Sequence, residues 1–172
     1  GHNSSELVHL YAEVPQHAFA DRAEYMGDPE RIYIPVQALL HPNRIQAISD
    51  SFDPTRTFPL DHYGTRISIG QDSGTQHISV LDKNGMAVAL TTAINTSLGS
   101  QVITPGGLVL NNEMDDFVAR PGEPNFFGLI GSEANAVQAG SRPLSSMSPT
   151  VLISPDGSQR IVVGASGGPF II

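Results

Sequence analysis

Cysteine is absent from the 172 residues. That excludes disulfides, thiolate zinc sites and a cysteine nucleophile, and leaves the redox compartment open. Charge is also scarce, at 15% of the chain, and the net charge is -8 with the acids scattered. A nucleic-acid groove needs a basic face, so no nucleic acid is expected among the partners. No apolar run approaches the roughly twenty residues that span a bilayer. No signal-peptide pattern opens the sequence, and Gly1-His2-Asn3-Ser4-Ser5 reads as a loop or a remnant. The six histidines (His2, His9, His17, His41, His62 and His77) show neither HxH nor HxxxH spacing. They read as surface or packing residues, and no metal or other cofactor is expected. What is abundant is glycine, at 17 residues, and proline, at 13, so turns and loops are frequent. With 40% hydrophobic residues the chain is globular and long enough to bury a core.

Taken in order, the first third reads helical. Leu7, Leu10, Tyr11, Val14, Ala18, Phe19 and Arg22 recur at three and four residues, giving an apolar stripe. Pro15 predicts a kink or a late start, and Gly27-Asp28-Pro29 predicts the end. Short helices are expected from Pro35 through Leu40 and from Pro42 through Ile48. From Asp50 to Gly74 periodicity fades over a stretch longer than an ordinary connector. After Thr75 the period changes to that of strands. Residues 77–81 and 86–91 flank Asp82-Lys83-Asn84-Gly85, a hairpin signal because Asn and Gly both tolerate positive φ. A second pair, 150–153 and 159–164, flanks Pro155-Asp156-Gly157. Between the hairpins, 95–149 reads as a long loop region. Helices followed by antiparallel strands imply α+β or a layered sandwich.

Four stretches could carry chemistry. Asp72-Ser73-Gly74-Thr75 is a polar run meeting a strand, which by itself is ordinary turn chemistry. Asn111-Asn112-Glu113-Met114-Asp115-Asp116-Phe117 sets three acids beside two amides, suited to a cation or an ammonium group, or simply a solvated acidic loop. The run 142–150 offers hydroxyls for a carboxylate, or a Ser/Pro-rich turn. Gly164-Ala165-Ser166-Gly167-Gly168 follows a strand and lets backbone N–H groups converge on an oxyanion, or merely turns tightly.

Together, Thr75-Gln76-His77, 111–117, 142–150 and 164–168 closely resemble the γ-glutamyltransferase (glutathione hydrolase) family, and Ala18-Phe19-Ala20-Asp21-Arg22 with Gly27-Asp28-Pro29 resembles the end of its large subunit. The resemblance covers nearly the whole chain and is weakest over 50–73. It implies an N-terminal nucleophile hydrolase, an αββα sandwich present here incompletely, with helices before Thr75 and Thr75 on a central strand between two sheets. Residues 1–74 would correspond to the end of a large subunit and residues 75–172 to the start of a small one. It further implies a precursor that cuts itself between Gly74 and Thr75, freeing an α-amine whose ordinary pKa of about 8 suits a general base. Thr75 would attack the γ-glutamyl amide of glutathione or a related compound, with Gly167 and Gly168 stabilising the oxyanion. Glu113 and Asp116, helped by Asn95, would grip the α-ammonium, and Ser145 and Ser146 the α-carboxylate. Water, an amino acid or a dipeptide would accept the acyl group. The remaining large- and small-subunit segments are implied partners, and a periplasmic, secreted or outward-facing location is expected.

Departures from the family pattern matter too. Ala93 stands where the family usually has a threonine, with Thr91 and Thr92 just upstream. Phe127 stands where many bacterial members have a lid tyrosine, within a lid-like loop over 121–128. The arginine that meets the substrate carboxylate in that family lies ahead of Gly1, so little turnover is expected of this chain alone. Two alternatives stay open. One is a related amide hydrolase of the cephalosporin acylase or poly-γ-glutamate type, of which the Glu113/Asp116 pair and the lid disfavour the acylase. The other is a silent, unprocessed binding or assembly module.

Overall fold

The computed structural model describes residues 1–64 and 75–172. The chain forms two compact units, Gly1–Ile69 with Phe117–Leu144, and Gly70–Asp116 with Ser145–Ile172. Each unit is assembled from two separated stretches of the chain.

The first unit is built on α1, Ser5–Tyr25. Its start comes ahead of Pro15, not after it, because Ser4 caps the helix: the Ser4 Oγ accepts from the Leu7 N–H at 3.3 Å. Of the opening residues, 1–4 form a turn ahead of the helix and Ser5 is its first residue. Glu6 in the first turn and Arg22 in the last complement the helix dipole. The helix ends at Met26, as Gly27-Asp28-Pro29 predicts. Two shorter helices follow: α2, Val36–Leu39, and α3, Pro42–Ser51, the latter opened by Pro42 and capped by His41, whose Nδ1 accepts from the Asn43 N–H.

The apolar stripe of α1 does not form the core. Leu10, Tyr11 and Val14 are exposed, and the buried positions are Glu13 and Ala20. Ala20 is buried because Gly64 rests on it; a Cβ on Gly64 would lie 2.5 Å from the Ala20 Cβ. Glu13 is buried because the Tyr63 hydroxyl donates to its carboxylate, while the same hydroxyl accepts from the Phe58 N–H at 3.1 Å. Tyr63, Phe117, Val118 and Phe127 complete the buried apolar set of this unit. The last turn of α1 is tied to the stretch around Ser132, whose Oγ donates to the Glu24 carbonyl at 2.7 Å and whose N–H donates to that of Ala23 at 3.1 Å.

The second unit carries two antiparallel hairpins. In the first, β1 (Gln76–Leu81) pairs with β2 (Ala87–Thr92), setting His77 opposite Thr91 and Ile78 opposite Leu90. In the second, β3 (Thr150–Ile153) pairs with β4 (Arg160–Val163). Among the described residues β1 bonds to β2 alone, so Thr75 stands at the mouth of a two-stranded sheet, one residue before its first strand. The turns differ in detail from the sequence expectation. Only Gly85, at φ 86, is left-handed in the first turn; Asn84 is not. The Asn84 N–H donates instead to the Asp82 carboxylate at 2.8 Å, and the Gly85 N–H closes the turn on the Asp82 carbonyl at 3.1 Å. Gly157, at φ 72, closes the second turn on the Ser154 carbonyl at 2.8 Å.

Candidate active site

Thr75, Asn95, Glu113, Asp116, Ser145, Ser146, Gly167 and Gly168 all belong to the second unit. Thr75 is half-buried and leads directly into β1. Gly74, the other side of the expected scissile bond, lies outside the described residues.

Two residues past Thr75, the His77 ring occupies the centre of a small network. Its Nδ1 lies 2.7 Å from the Thr91 Oγ1 and its Nε2 lies 3.0 Å from the Ser79 Oγ. The same ring lies against Gly164, where a Cβ would fall 2.1 Å from the His77 Cε1. The absence of a side chain at 164 lets the ring pack there, and the contact joins β1 to the start of the glycine stretch. Beyond it, Gly167 has φ 142 and Gly168 has φ 55, both in the region that favours glycine. Their carbonyls accept from the N–H groups of Phe170 and Ile171. Their own N–H groups donate to no partner among the described residues, which leaves two neighbouring donors for a ligand.

Asn95 is 6% exposed and left-handed, at φ 75. Asparagine is one of the few residues that tolerates this conformation. Its Nδ2 donates to the Asn112 carbonyl at 3.1 Å, and the Asn112 Oδ1 accepts from both the N–H and the hydroxyl of Thr96 at 3.2 Å. The Asn111 Oδ1 then accepts from the Glu113 N–H at 3.1 Å, opening the short 3-10 turn Glu113–Asp116. The polar network therefore brings Asn95 against the acidic turn, with Glu113 and Asp116 half-buried on it. Ser145 is exposed and its Oγ accepts from the Met147 N–H at 3.0 Å, while Ser146 is half-buried. Among the described residues, no three His, Asp or Glu side chains are grouped as a metal ion requires.

Residues 1–172 match the family model for gamma-glutamyltranspeptidase over their full extent. The chain belongs to the γ-glutamyltranspeptidase family. It is 41% identical over 174 residues to the glutathione hydrolase proenzyme of Escherichia coli (strain K12), a match covering 100% of this chain and 30% of that protein. To the glutathione hydrolase proenzyme of Pseudomonas aeruginosa it is 42% identical over 170 residues, covering 98% of this chain and 30% of the relative. The chain thus spans 30% of the length of these curated relatives. A solved mutant of Helicobacter pylori γ-glutamyltranspeptidase superposes with a TM-score of 0.52 at 50% identity, over 55% of this chain and 51% of that one. The fold is therefore that of these N-terminal nucleophile hydrolases, present in part, with helices ahead of Thr75 and antiparallel strands after it. The family is one of enzymes.

Composition and spacing leave His77 among surface or packing residues without showing what it touches. Its partner Gly164 is remote in sequence, and no periodicity links the two. The brace from Asn112 to Asn95 is equally hidden in the sequence, although two adjacent asparagines before an acidic run are a local hint of turn chemistry. Phe127, expected in a lid, is 4% exposed within the first unit, with its ring 5.3 Å from that of exposed Phe126.

Proposed function

We propose that Thr75 becomes an N-terminal nucleophile by self-cleavage and transfers γ-glutamyl groups. The Thr75 Oγ1 attacks the Gly74 carbonyl carbon, the Gly74–Thr75 C–N bond breaks, and the departing amine takes the hydroxyl proton. Water then opens the resulting ester, leaving a carboxylate on Gly74 and a free hydroxyl and α-amine on Thr75. In the transfer reaction that amine accepts the hydroxyl proton as Oγ1 attacks the γ-glutamyl carbonyl, and returns it to the leaving amine. The N–H groups of Gly167 and Gly168 hold the oxyanion, a kind of contact often contributing roughly 3–4 kcal/mol to the barrier. Glu113, Asp116 and Asn95 hold the α-ammonium, and Ser145 and Ser146 the α-carboxylate. Water, an amino acid or a dipeptide takes the acyl group. Glutathione or another γ-glutamyl compound is the donor, other segments of the two subunits are the partners, and the location is periplasmic, secreted or outward-facing.

The observation that supports this reading best is that the described residues needed for it fall in one compact unit, on a chain whose whole length matches the family. The Asn95–Asn112 brace adds to it by holding the acidic turn in place. The test is covalent labelling. A γ-glutamyl anilide incubated with the chain should leave a glutamyl group on the peptide that begins at Thr75, seen by mass spectrometry even where turnover is slow. A Thr75→Ala chain should carry none. A wild-type chain without the adduct would contradict the reading.

A further inference from the structure

We propose that His77 is a positioning residue that sets the spacing between Thr75 and the N–H groups of Gly167 and Gly168. The inference rests on the reading above that Thr75 is the nucleophile and these glycines hold the oxyanion. Every residue it uses lies in the second unit.

Thr75 and His77 are two residues apart at the start of β1, so their side chains share one face of the strand. Exposure follows that alternation: Thr75 and His77 are half-buried, and Gln76 between them is exposed. The partner strand gives Thr75 no polar hold. Its register, continued one pair past Gln76 and Thr92, sets Thr75 beside Ala93, whose methyl offers no hydrogen bond. The polar tie on that face comes two residues later, at the His77 ring. Thr91 stands opposite His77, with its Oγ1 2.7 Å from Nδ1. Ser79, next on the same face of β1, has its Oγ 3.0 Å from Nε2. A hydroxyl donates or accepts, so both bonds persist in either ring tautomer. The ring is therefore held at both nitrogens, once by its own strand and once by the partner strand.

This fixed ring supports Gly164. Strand β4 ends at Val163, and the next residue lies so close to the imidazole that a Cβ there would fall 2.1 Å from Cε1, 2.2 Å from Nδ1 and 2.6 Å from Nε2. Three residues on, the far end of the glycine stretch is closed by its own 3-10 turn, Gly168–Phe170. There the Phe170 N–H donates to the Gly167 carbonyl at 3.1 Å, and Pro169 is buried. The turn fixes Gly167 and Gly168 relative to each other, and the ring at Gly164 fixes them relative to β1. A second tie joins the hairpins where the Arg160 guanidinium donates to the Gly85 carbonyl. It sits beyond the far end of β1, roughly 20 Å along the strand from Thr75. That tie holds the hairpins together without setting the spacing at Thr75, which makes it a built-in control.

The test uses the full chain and separates rate from binding. Formation of the glutamyl adduct from a γ-glutamyl anilide is timed by mass spectrometry and normalised to the chains that begin at Thr75. A displacement of about 1 Å can cost a hundredfold in rate, so His77→Ala should slow the adduct on the order of a hundredfold. Affinity for L-glutamate, set at the acidic turn and the serine pair, should change less than about threefold. Arg160→Ala should leave both within about twofold of wild type. A parallel loss of affinity in His77→Ala, or an equal slowing in Arg160→Ala, would mean general loosening of the hairpins and overturn the proposal. Backbone 15N order parameters give a readout that needs no chemistry. Over 164–168 they should fall from about 0.85 to below about 0.6 in His77→Ala and hold in Arg160→Ala. Unchanged values in His77→Ala would show that the ring does not hold the stretch, and the proposal falls. If wild type forms no adduct, it is the nucleophile reading that fails, and the order parameters still decide the tie; a His77→Ala chain that stays uncut is judged by them as well. Should His77→Ala fail to fold, His77→Phe is read the same way, since it keeps a ring but loses both hydroxyl bonds.

Discussion

Replacing Gly164 by alanine would put a methyl carbon 2.1 Å from the Cε1 and 2.2 Å from the Nδ1 of His77. The backbone at 164 is not left-handed, so a side chain is admitted there and the collision is the whole effect. The ring is the end of a flexible side chain and can swing aside. To do so it gives up its bonds to the Thr91 Oγ1 and the Ser79 Oγ. At about 0.5–1.5 kcal/mol net for each, the loss is about 1–3 kcal/mol, within the usual cost of overpacking. In a chain of this size that lowers Tm by roughly 3–10 °C. Chemical denaturation of Gly164→Ala, His77→Ala and the double variant isolates the contact. The alanine at 164 should cost less than about 0.5 kcal/mol once the ring is gone. An equal cost with and without His77 would show that the ring is not what requires glycine there. The same cycle bears on chemistry, because moving the ring frees the start of the stretch that carries Gly167 and Gly168.

Tyr63→Phe removes the donor to the buried Glu13 carboxylate and the acceptor of the Phe58 N–H. Leaving both groups without that partner costs about 2–4 kcal/mol, measured by urea titration. Burial, and then the bond to Glu13, raise the Tyr63 hydroxyl above its ordinary value of 10.0. A raised value favours the protonated form, so this stabilisation is fully present below pH 10 and is lost as pH climbs through the folded value. The difference between wild type and Tyr63→Phe should therefore shrink in alkali and stay constant in this respect below pH 10. Asn95→Ala loses the bond to Asn112 and forces a left-handed alanine, about 2–3 kcal/mol together. Asn95→Gly loses only the bond and should recover roughly half of that in the same denaturation assay.

The parts of the fold that follow a local rule were legible from the residues. Helix α1 follows its three-and-four spacing and ends at Gly27-Asp28-Pro29, and the two hairpins turn where Gly85 and Gly157 demand it. Burial was not legible, because spacing marks which residues share a face and not what covers it. The stripe of Leu10, Tyr11 and Val14 stays exposed, while Glu13 is buried through a tyrosine remote in sequence. The same limit applies to the site. Thr75, the acidic turn, the serine pair and the glycines could be named because their strings resemble a family. The ties between Asn95 and Asn112 and between His77 and Gly164 join stretches distant in sequence through single side chains, which leave no periodic trace.

The central claim is that the chain makes its own nucleophile at Thr75, and the mass of the purified protein under denaturing conditions tests it most directly. The account predicts two pieces, one ending at Gly74 and one beginning with Thr75, and a single intact chain for Thr75→Ala. A wild-type protein that stays whole after prolonged incubation, or that is cut at any other bond, would contradict it.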